Sequence, residues 1–219
     1  MNIETYRTIR ENGQSEIEIK KSRFICFLKR IQDEEEAKQF IQQIKKEHWK
    51  ANHNCSAYVL GFHNEIQRSS DDGEPSGTAG VPILEVLKKN QLINVAAVVT
   101  RYFGGTKLGA GGLIRAYSNA TSTGLNEVGL VEGVFHQSLI LTIEYPLLGK
   151  LQNYLELQQI VVKSIDYTDK INLTLMVPDS EKQQIEAALI DLLQGQVTIK
   201  HGAASYVEQP VTPISGPND

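Results

Sequence analysis

Five glycines between Gly104 and Gly112 mark the part of the sequence best suited to bind a ligand. The apolar stretch 94–100 before them predicts a buried strand, and the spacing of apolar residues after them predicts a helix near 111–125. The start of a helix has free N–H groups and a partial positive charge, and glycines let other backbone come close. The segment therefore predicts a phosphate, sulfate or nucleic-acid site. Its expected residues are Arg101, Gly104, Gly105, Thr106, Lys107, Gly109, Gly111, Gly112 and Arg115.

The spacing of these glycines does not match two familiar nucleotide-binding motifs. No Gly-Lys-Ser/Thr follows, as a Walker A loop requires, and Ile114 stands where a dinucleotide fingerprint has its third small residue. A purely structural interpretation also stays open, in which the glycines only fit a tight turn where a helix packs against a sheet.

A second polar loop, 71–80, contains three carboxylates within four residues: Asp71, Asp72 and Glu74. They are candidates for a Mg²⁺ site or a general base, or for an ordinary solvated turn. If the two loops are close, a cation could join the carboxylates to a bound phosphate. Arg101 has two alternatives, since it can bind an anion or pair with one of these carboxylates.

The remaining reactive residue types form no convincing catalytic set. His53 and Cys55 lie two apart on a predicted strand and so face one side, but neither metal-ligand spacing nor a nucleophile motif supports them. No group combines a nucleophile, a base and an oxyanion hole. The sequence therefore predicts no catalytic residue, no metal and no cofactor, and enzymatic activity is not favoured. Tyr102 and Phe103 are candidates for stacking on single-stranded RNA, with at most one facing outward.

Charge is unevenly distributed along the 219 residues, whose net charge is −4. Residues 1–135 carry 17 Lys and Arg against 16 Asp and Glu, whereas residues 136–219 carry 5 against 10. The net charge argues against a strongly basic nucleic-acid binder, and if a polyanion binds, the first part is the expected surface for it. No signal peptide or membrane-length apolar run is visible, and the two cysteines do not form a disulfide framework, so we expect a cytoplasmic protein.

The order of predicted elements indicates an α+β protein of two domains. The first, 1–135, alternates strands, helices and the two polar loops. The second, 136–208, has the order βαββαβ of a ferredoxin-like unit, with a helix capped by Asp179 or Ser180. We expect helices on one face of each sheet. The last segment, 209–219, is expected to be a flexible tail.

One continuous segment of the first domain resembles a known family. RYFGGTKLG, residues 101–109, matches without a gap the pattern of the IMPACT/YigZ family: an arginine, two aromatics, two glycines, two variable residues, an aliphatic and a glycine. SDDGEPSGTAG at 70–80 and HNCSAY at 53–58 are also similar to family segments. The resemblance covers about 16–135, and the second domain is similar to the C-terminal module of bacterial members.

The resemblance implies a fold and a cellular setting. The family's first domain is similar to a left-handed βαβ domain of a ribosomal protein and of elongation factor G, and the second to the last, ferredoxin-like domain of that factor. Eukaryotic relatives regulate translation under amino-acid starvation through a protein partner, which the bacterial architecture need not share. Fold analogy alone does not establish a function.

Two kinds of function follow from the residues and the resemblance together. The favoured one is a translation-associated regulatory or stress-response protein that binds the ribosome, RNA or a translation-linked protein, with no membrane partner. The alternative is an enzyme or sensor for a small phosphorylated ligand held at the glycine loop 104–112. A basic patch would favour the first, and a concave pocket containing Arg101, Lys107 and the 71–74 carboxylates would favour the second.

Overall fold

The computed structural model describes residues 5–213, and these divide into two compact units. The first unit comprises Tyr6–Glu132 together with 209–213, and the second comprises Thr5 and Gly133–Glu208. The mixed α+β class is confirmed, since both units combine a sheet with helices.

The first unit contains six strands and three helices that lie wholly or almost wholly within it, and the seventh strand begins there. In chain order they are β1 Thr5–Ile9, β2 Gly13–Ile19, β3 Ser22–Arg30, α1 Glu34–Glu47, β4 His53–Leu60, β5 Ile66–Ser70, α2 Gly80–Lys89, β6 Val95–Tyr102, α3 Ala110–Val128 and β7 Leu130–Ile143. The sequence analysis did not predict β1. It hydrogen-bonds to β7, and Arg7 on β1 pairs with Glu132 at 2.9 Å.

The sheet of the first unit has the order β2-β3-β6-β4-β5. β3 and β4 are each antiparallel to β6, which lies between them, so they are parallel to one another. The chain connects them through α1, which makes a split βαβ crossover. Asp33 caps α1 as predicted, because its carboxylate accepts the Glu36 N–H at 2.8 Å.

Both faces of this sheet are covered, which corrects the expectation of helices on one face only. Along β6, Val95, Ala97 and Val99 pack into the core that also contains the apolar sides of α2 and α3. The alternate residues Ala96 and Val98 pack into a second core with α1. The reason is visible in the sequence, since a strand buried on both faces is a continuous apolar run rather than an alternating one.

The second unit has the predicted element order βαββαβ. After β7 come a short 3₁₀ turn and then α4 Leu148–Leu157, β8 Val161–Tyr167, β9 Ile171–Pro178, α5 Lys182–Leu192 and β10 Thr198–Val211. Its sheet has the strand order β1-β7-β9-β8, and β10 also pairs with β7. β7 and β8 are both antiparallel to β9 and so parallel to each other, which again makes a split βαβ crossover through α4.

Two boundaries in the second half differ from the sequence prediction. Glu181, not Asp179 or Ser180, is the N-cap residue of α5, and it makes no side-chain cap. Asp179 follows the end of β9 and still contacts β7, since its N–H donates to Phe135 O at 3.0 Å. The predicted flexible tail 209–219 begins as strand, because β10 continues to Val211, which packs on the first unit's core. Residues 214–219 of that tail lie outside the described residues.

Within residues 5–213, none of the helices has the length and apolar character needed to cross a membrane.

Expressing 133–208 alone should yield a cooperatively folding domain. The apolar cluster of the second unit consists entirely of residues between Leu139 and Ile199, so the fragment retains its own core. Thermal and urea unfolding followed by circular dichroism would test this. Leu173→Ala in the same fragment serves as the control and should cost about 2 to 5 kcal/mol, since Leu173 is fully buried. A fragment without a cooperative transition would contradict the prediction.

Candidate functional site

The glycine segment connects the end of β6 to the start of the 19-residue helix α3. The predicted order of strand, glycine loop and helix is confirmed, with the helix starting at Ala110. The N-cap residue, Gly109, has φ 72° and no side chain to cap the helix, and the first turn contains no acidic residue. The positive end of the helix is therefore not compensated by a side chain of its own first turn.

Gly104 brings a second basic loop against this segment. Its N–H donates to the Ser22 hydroxyl at 3.1 Å. A Cβ added at Gly104 would lie 2.0 Å from the Lys21 carbonyl carbon, so only glycine fits without a backbone shift. The contact places the turn of Lys20 and Lys21, between β2 and β3, beside the loop 103–109. In contrast, a Cβ at Gly111 would meet nothing within 4 Å.

An open pocket of about 480 Å³ lies at the N-terminus of α3. It contains three of the predicted anion-site residues, Arg101, Lys107 and Gly109, together with Glu74 from the loop 71–80. The other lining residues are Asn52, His53, Pro75, Phe103, Leu108, Ala110 and Leu113.

Arg115 does not join Arg101 and Lys107, although the three were expected to converge. It lines a second depression of about 220 Å³ with Lys20 and with Gly112. The reason is helical geometry. Residues 112, 115, 116 and 119 share one side of α3, whereas 110 and 113 share another. Leu108 lines both depressions, and Gly105, Thr106 and Gly111 line neither of them.

Arg101 and Glu74 form a buried ion pair on the wall of the pocket. Arg101 Nη1 lies 2.6 Å from Glu74 Oε1, and both side chains are more than nine-tenths buried. The Tyr117 hydroxyl donates to the same carboxylate oxygen at 2.8 Å. The guanidinium also lies 5.4 Å from the Phe24 ring and 5.5 Å from the Phe103 ring. Of the two alternatives for Arg101, the structure shows pairing with a carboxylate.

Tyr117 and Cys55 extend this buried network as neutral groups. The Cys55 thiol donates to Asp71 O at 2.9 Å and lies 3.4 Å from the Tyr117 hydroxyl. Burial raises the pKa of Cys55 to about 12, so the thiol is not a nucleophile at neutral pH. Burial, reinforced by Cys55 and Glu74, also raises the pKa of Tyr117. His53 Nδ1 lies 2.9 Å from Asp72 O, and its Nε2 lies 3.8 Å from Glu74 Oε2.

Asp71 acts as a cap for α2. This role could not be predicted from the sequence, because Asp71 precedes the start of the helix at Gly80 by nine residues. Its carboxylate accepts the N–H groups of Gly77, Ala79 and Gly80 at 2.8, 3.0 and 2.8 Å. Ala79 is the N-cap residue of α2 and has no capping side chain. Burial raises the pKa of Asp71, but the three backbone hydrogen bonds outweigh it, and the pKa is lowered overall.

Asp72 also has a structural role, so the three carboxylates do not converge. Its oxygens accept from Lys45 Nζ at 2.6 Å and from the Asn54 N–H at 2.7 Å, which ties α1 to β4. The residues described contain no group of three or more His, Cys, Asp or Glu placed to hold a metal ion. The cation-bridging hypothesis for Asp71, Asp72 and Glu74 therefore finds no support, because each carboxylate faces its own donors.

The sequence analysis missed several residues that shape the site. Tyr117 lies within the predicted helix 111–125 but was given no role at the site. A buried tyrosine usually finds a hydrogen-bond partner for its hydroxyl, and this was the available signal. Asn52 holds the end of β6, since its Oδ1 accepts the Phe103 N–H at 2.8 Å. Lys20 and Lys21 carried no signal, because only the contact at Gly104 brings them to the glycine loop.

Comparisons with known proteins match both halves of the chain. The Impact N-terminal domain matches residues 20–125, and a domain of unknown function, DUF1949, matches 141–196. IMPACT family member YvyE of Bacillus subtilis is 49% identical over 97% of this chain and 98% of its own length. The chain belongs to the IMPACT family. The family resemblance inferred from the segment 101–109 is confirmed.

Two more distant matches agree with this membership. IMPACT family member YigZ of Escherichia coli is 34% identical over 83% of this chain and 90% of that protein. A crystal structure of a hypothetical protein has a TM-score of 0.58 at 32% identity and covers 90% of this chain and 97% of that chain. None of these names states a ligand or a reaction, so a function for this IMPACT-family chain has to be argued from its site.

Asp71→Asn should destabilise the first unit at neutral pH by about 1 kcal/mol, as the loss of a charged helix cap does. Because the folded pKa of Asp71 lies below its ordinary 3.8, its stabilisation is present above the unfolded pKa and disappears as the pH falls through the folded one. Urea unfolding of both proteins between pH 2 and 7 would show the difference narrowing with acid. A constant difference across that range would contradict the prediction.

Arg101→Met should cost about 3 to 5 kcal/mol, because it leaves the buried Glu74 without its cation. Glu74→Gln should be costly for the converse reason, whereas the double variant should recover part of the loss. Equilibrium urea unfolding of the wild type, both single variants and the double variant gives the coupling energy. Strictly additive costs would show that the two side chains do not stabilise one another.

Proposed function

We propose that this IMPACT-family protein is a translation-associated binding protein that acts at the ribosome. Its first unit binds single-stranded RNA. The observation that carries the proposal is a basic surface made of Lys20, Lys21, Lys107 and Arg115, which we call the loop surface. All four side chains are exposed, and none has an ion-pair partner among the described residues. The contact at Gly104 holds the turn of Lys20 and Lys21 against the loop 103–109.

The local charge supports a polyanionic partner despite the net charge of −4. Residues 101–126 contain three cations, Arg101, Lys107 and Arg115, and no acidic residue. At physiological salt, exposed charges act only over about 8 Å, so the surface next to the partner matters more than the total. Lys20 and Lys21 add two further positive charges beside this segment.

Phe103 supplies what a purely electrostatic surface lacks. Phe103 is 46% exposed. Tyr102 is half-buried, and its hydroxyl forms a hydrogen bond of 2.9 Å with His48 Nδ1. Of the two aromatics, Phe103 is thus the one free to stack on a base. An exposed ring within a basic loop is a common arrangement for sequence-tolerant binding of single strands.

Fold analogy gives weaker support for the ribosome as the setting. The split βαβ crossover of the first unit is compatible with the left-handed βαβ domain of a ribosomal protein and elongation factor G. The βαββαβ order of the second is compatible with the last domain of that factor. We include both likenesses in the proposal, as associations only.

A second candidate is a sensor of a small phosphorylated ligand, favoured by the pocket at the start of α3. Its volume of about 480 Å³ lies in the range of small-molecule sites. We assign no catalytic step to either candidate: Cys55, whose pKa is raised by burial, is not among the residues that line the pocket.

Lys107→Glu/Arg115→Glu should weaken RNA binding by about tenfold or more, since two cations at the loop surface become anions. Fluorescence anisotropy with a labelled 12-nucleotide oligouridylate would measure it. The wild-type log K should fall with log salt with a slope of about −3 if all four cations contact phosphates. Co-sedimentation with ribosomes at low and high salt tests whether the protein binds the ribosome.

The matched control is Lys163→Glu/Lys200→Glu, which makes the same change of net charge in the second unit at two exposed lysines. It should leave the RNA affinity within about twofold of wild type, because neither lysine is one of the four cations of the loop surface. No RNA binding by the wild type, or equal losses in both double variants, would refute the proposal and favour a protein partner.

A further inference from the structure

The pocket at the N-terminus of α3 combines an uncapped helix end with a buried cation. Ala110 and Gly109 bring the start of the helix to the pocket wall. Leu113 N–H bonds to Gly109 O at 2.9 Å, so the three preceding N–H groups of the helix lie outside its own hydrogen-bond ladder. Such groups are well suited to donate hydrogen bonds to an anion.

Arg101 gives independent support for an anionic ligand at this place. The residue is 5% exposed and lines the pocket, and its buried Nε atom has no hydrogen-bond partner among the described residues. Buried donors without an acceptor are rare. Glu74 accepts from Nη1 only, so the ion pair does not use up the five N–H donors of the guanidinium.

The net positive charge of the pocket favours a ligand group that carries more than one negative charge. Arg101 and Lys107 supply two positive charges, and the helix end adds about half a charge. Glu74 supplies one negative charge through its ion pair with Arg101, so the pocket is left with a net positive charge of about one and a half. A phosphate monoester carries about −1.5 to −2 charges and three acceptor oxygens, whereas an internal phosphodiester carries only one charge. The monoester therefore gains more from this pocket.

The walls of the pocket fit the rest of a nucleotide. Leu108, Leu113 and Pro75 are apolar, and the exposed Phe103 ring forms part of the rim. A volume of about 480 Å³ is in the range that encloses a ligand of nucleotide size.

We propose that this pocket binds the phosphate monoester of a nucleotide, with the phosphate on the N-terminus of α3 beside Arg101 and Lys107. The monoester belongs either to the end of an RNA strand or to a free mononucleotide. In the first case the inference rests on the proposed RNA binding and makes the protein selective for phosphorylated RNA ends. In the second case it rests on the second candidate, the sensor of a phosphorylated ligand, and does not depend on RNA binding.

The test compares ligands that differ only in the monoester. Anisotropy measurements use one 12-nucleotide RNA in three forms, with a 5′-phosphate, with a 3′-phosphate or with hydroxyls at both ends. Competition by uridine monophosphate and by inorganic phosphate identifies the free-nucleotide source. We expect one phosphorylated form to bind about fivefold or more tightly than the hydroxyl form, or uridine monophosphate to compete better than inorganic phosphate.

Ala110→Asp is the decisive variant, since it puts a carboxylate where the phosphate would lie. Ala110 is exposed at the first position of α3, and an acidic residue there suits the helix, so folding should be unaffected or improved. Ala110→Asn has the same shape without the charge and is the matched control. The preference for the monoester should be lost in the Asp variant and largely kept in the Asn variant.

The outcomes separate this inference from the proposed function. RNA that binds equally with and without a terminal phosphate, while uridine monophosphate does not compete, overturns the inference and leaves RNA binding by the loop surface intact. A monoester preference that survives Ala110→Asp also overturns it, since the phosphate then lies elsewhere. Binding of uridine monophosphate that is abolished by Ala110→Asp supports the pocket even if no RNA binds.

Discussion

The buried ion pair of Arg101 and Glu74 is the contact on which the rest of the site depends. It joins the end of β6 to the loop that leads into α2, and the Tyr117 hydroxyl on α3 binds the same carboxylate. Three segments far apart in sequence thus meet at one pair of charges. A pair so deeply buried adds little net stability compared with apolar packing, but losing one partner is expensive. It therefore specifies how the segments meet more than it stabilises them.

This pair also explains how a guanidinium can be buried on the wall of the pocket. An unpaired guanidinium at 5% exposure would be very costly, and Glu74 offsets that cost through one nitrogen only. The neighbouring carboxylates do not line the pocket, because Asp71 binds backbone N–H groups at the start of α2 and Asp72 binds Lys45. Of the three acidic residues in the loop 71–80, only Glu74 thus lines the pocket, and its charge is partly neutralised by Arg101.

The sequence predicted the local elements well and their long-range contacts poorly. The apolar run before Arg101, the helix after the glycines and the Asp33 cap all follow from periodicity and from short-range chemistry. The partner of Arg101 could not be chosen among three carboxylates, because that choice depends on the path of the loop 71–80. The contact between Gly104 and Lys21 was equally hidden, since it joins residues that share no pattern. The separation of Arg115 from Lys107 was predictable, since position 115 lies on another side of the helix from 110.

The loop surface and the pocket at the start of α3 would select their ligands through different physical interactions. Lys20, Lys21 and Arg115 are exposed, so their attraction is screened by salt and carries no shape information. Arg101 is buried beside the uncapped end of α3, where screening is weaker and geometry is fixed. Lys107 belongs to both features, and Leu108 lines both depressions. A polyanion on the loop surface and a terminal phosphate in the pocket would therefore bind adjacent places. Salt should weaken the first contact more than the second.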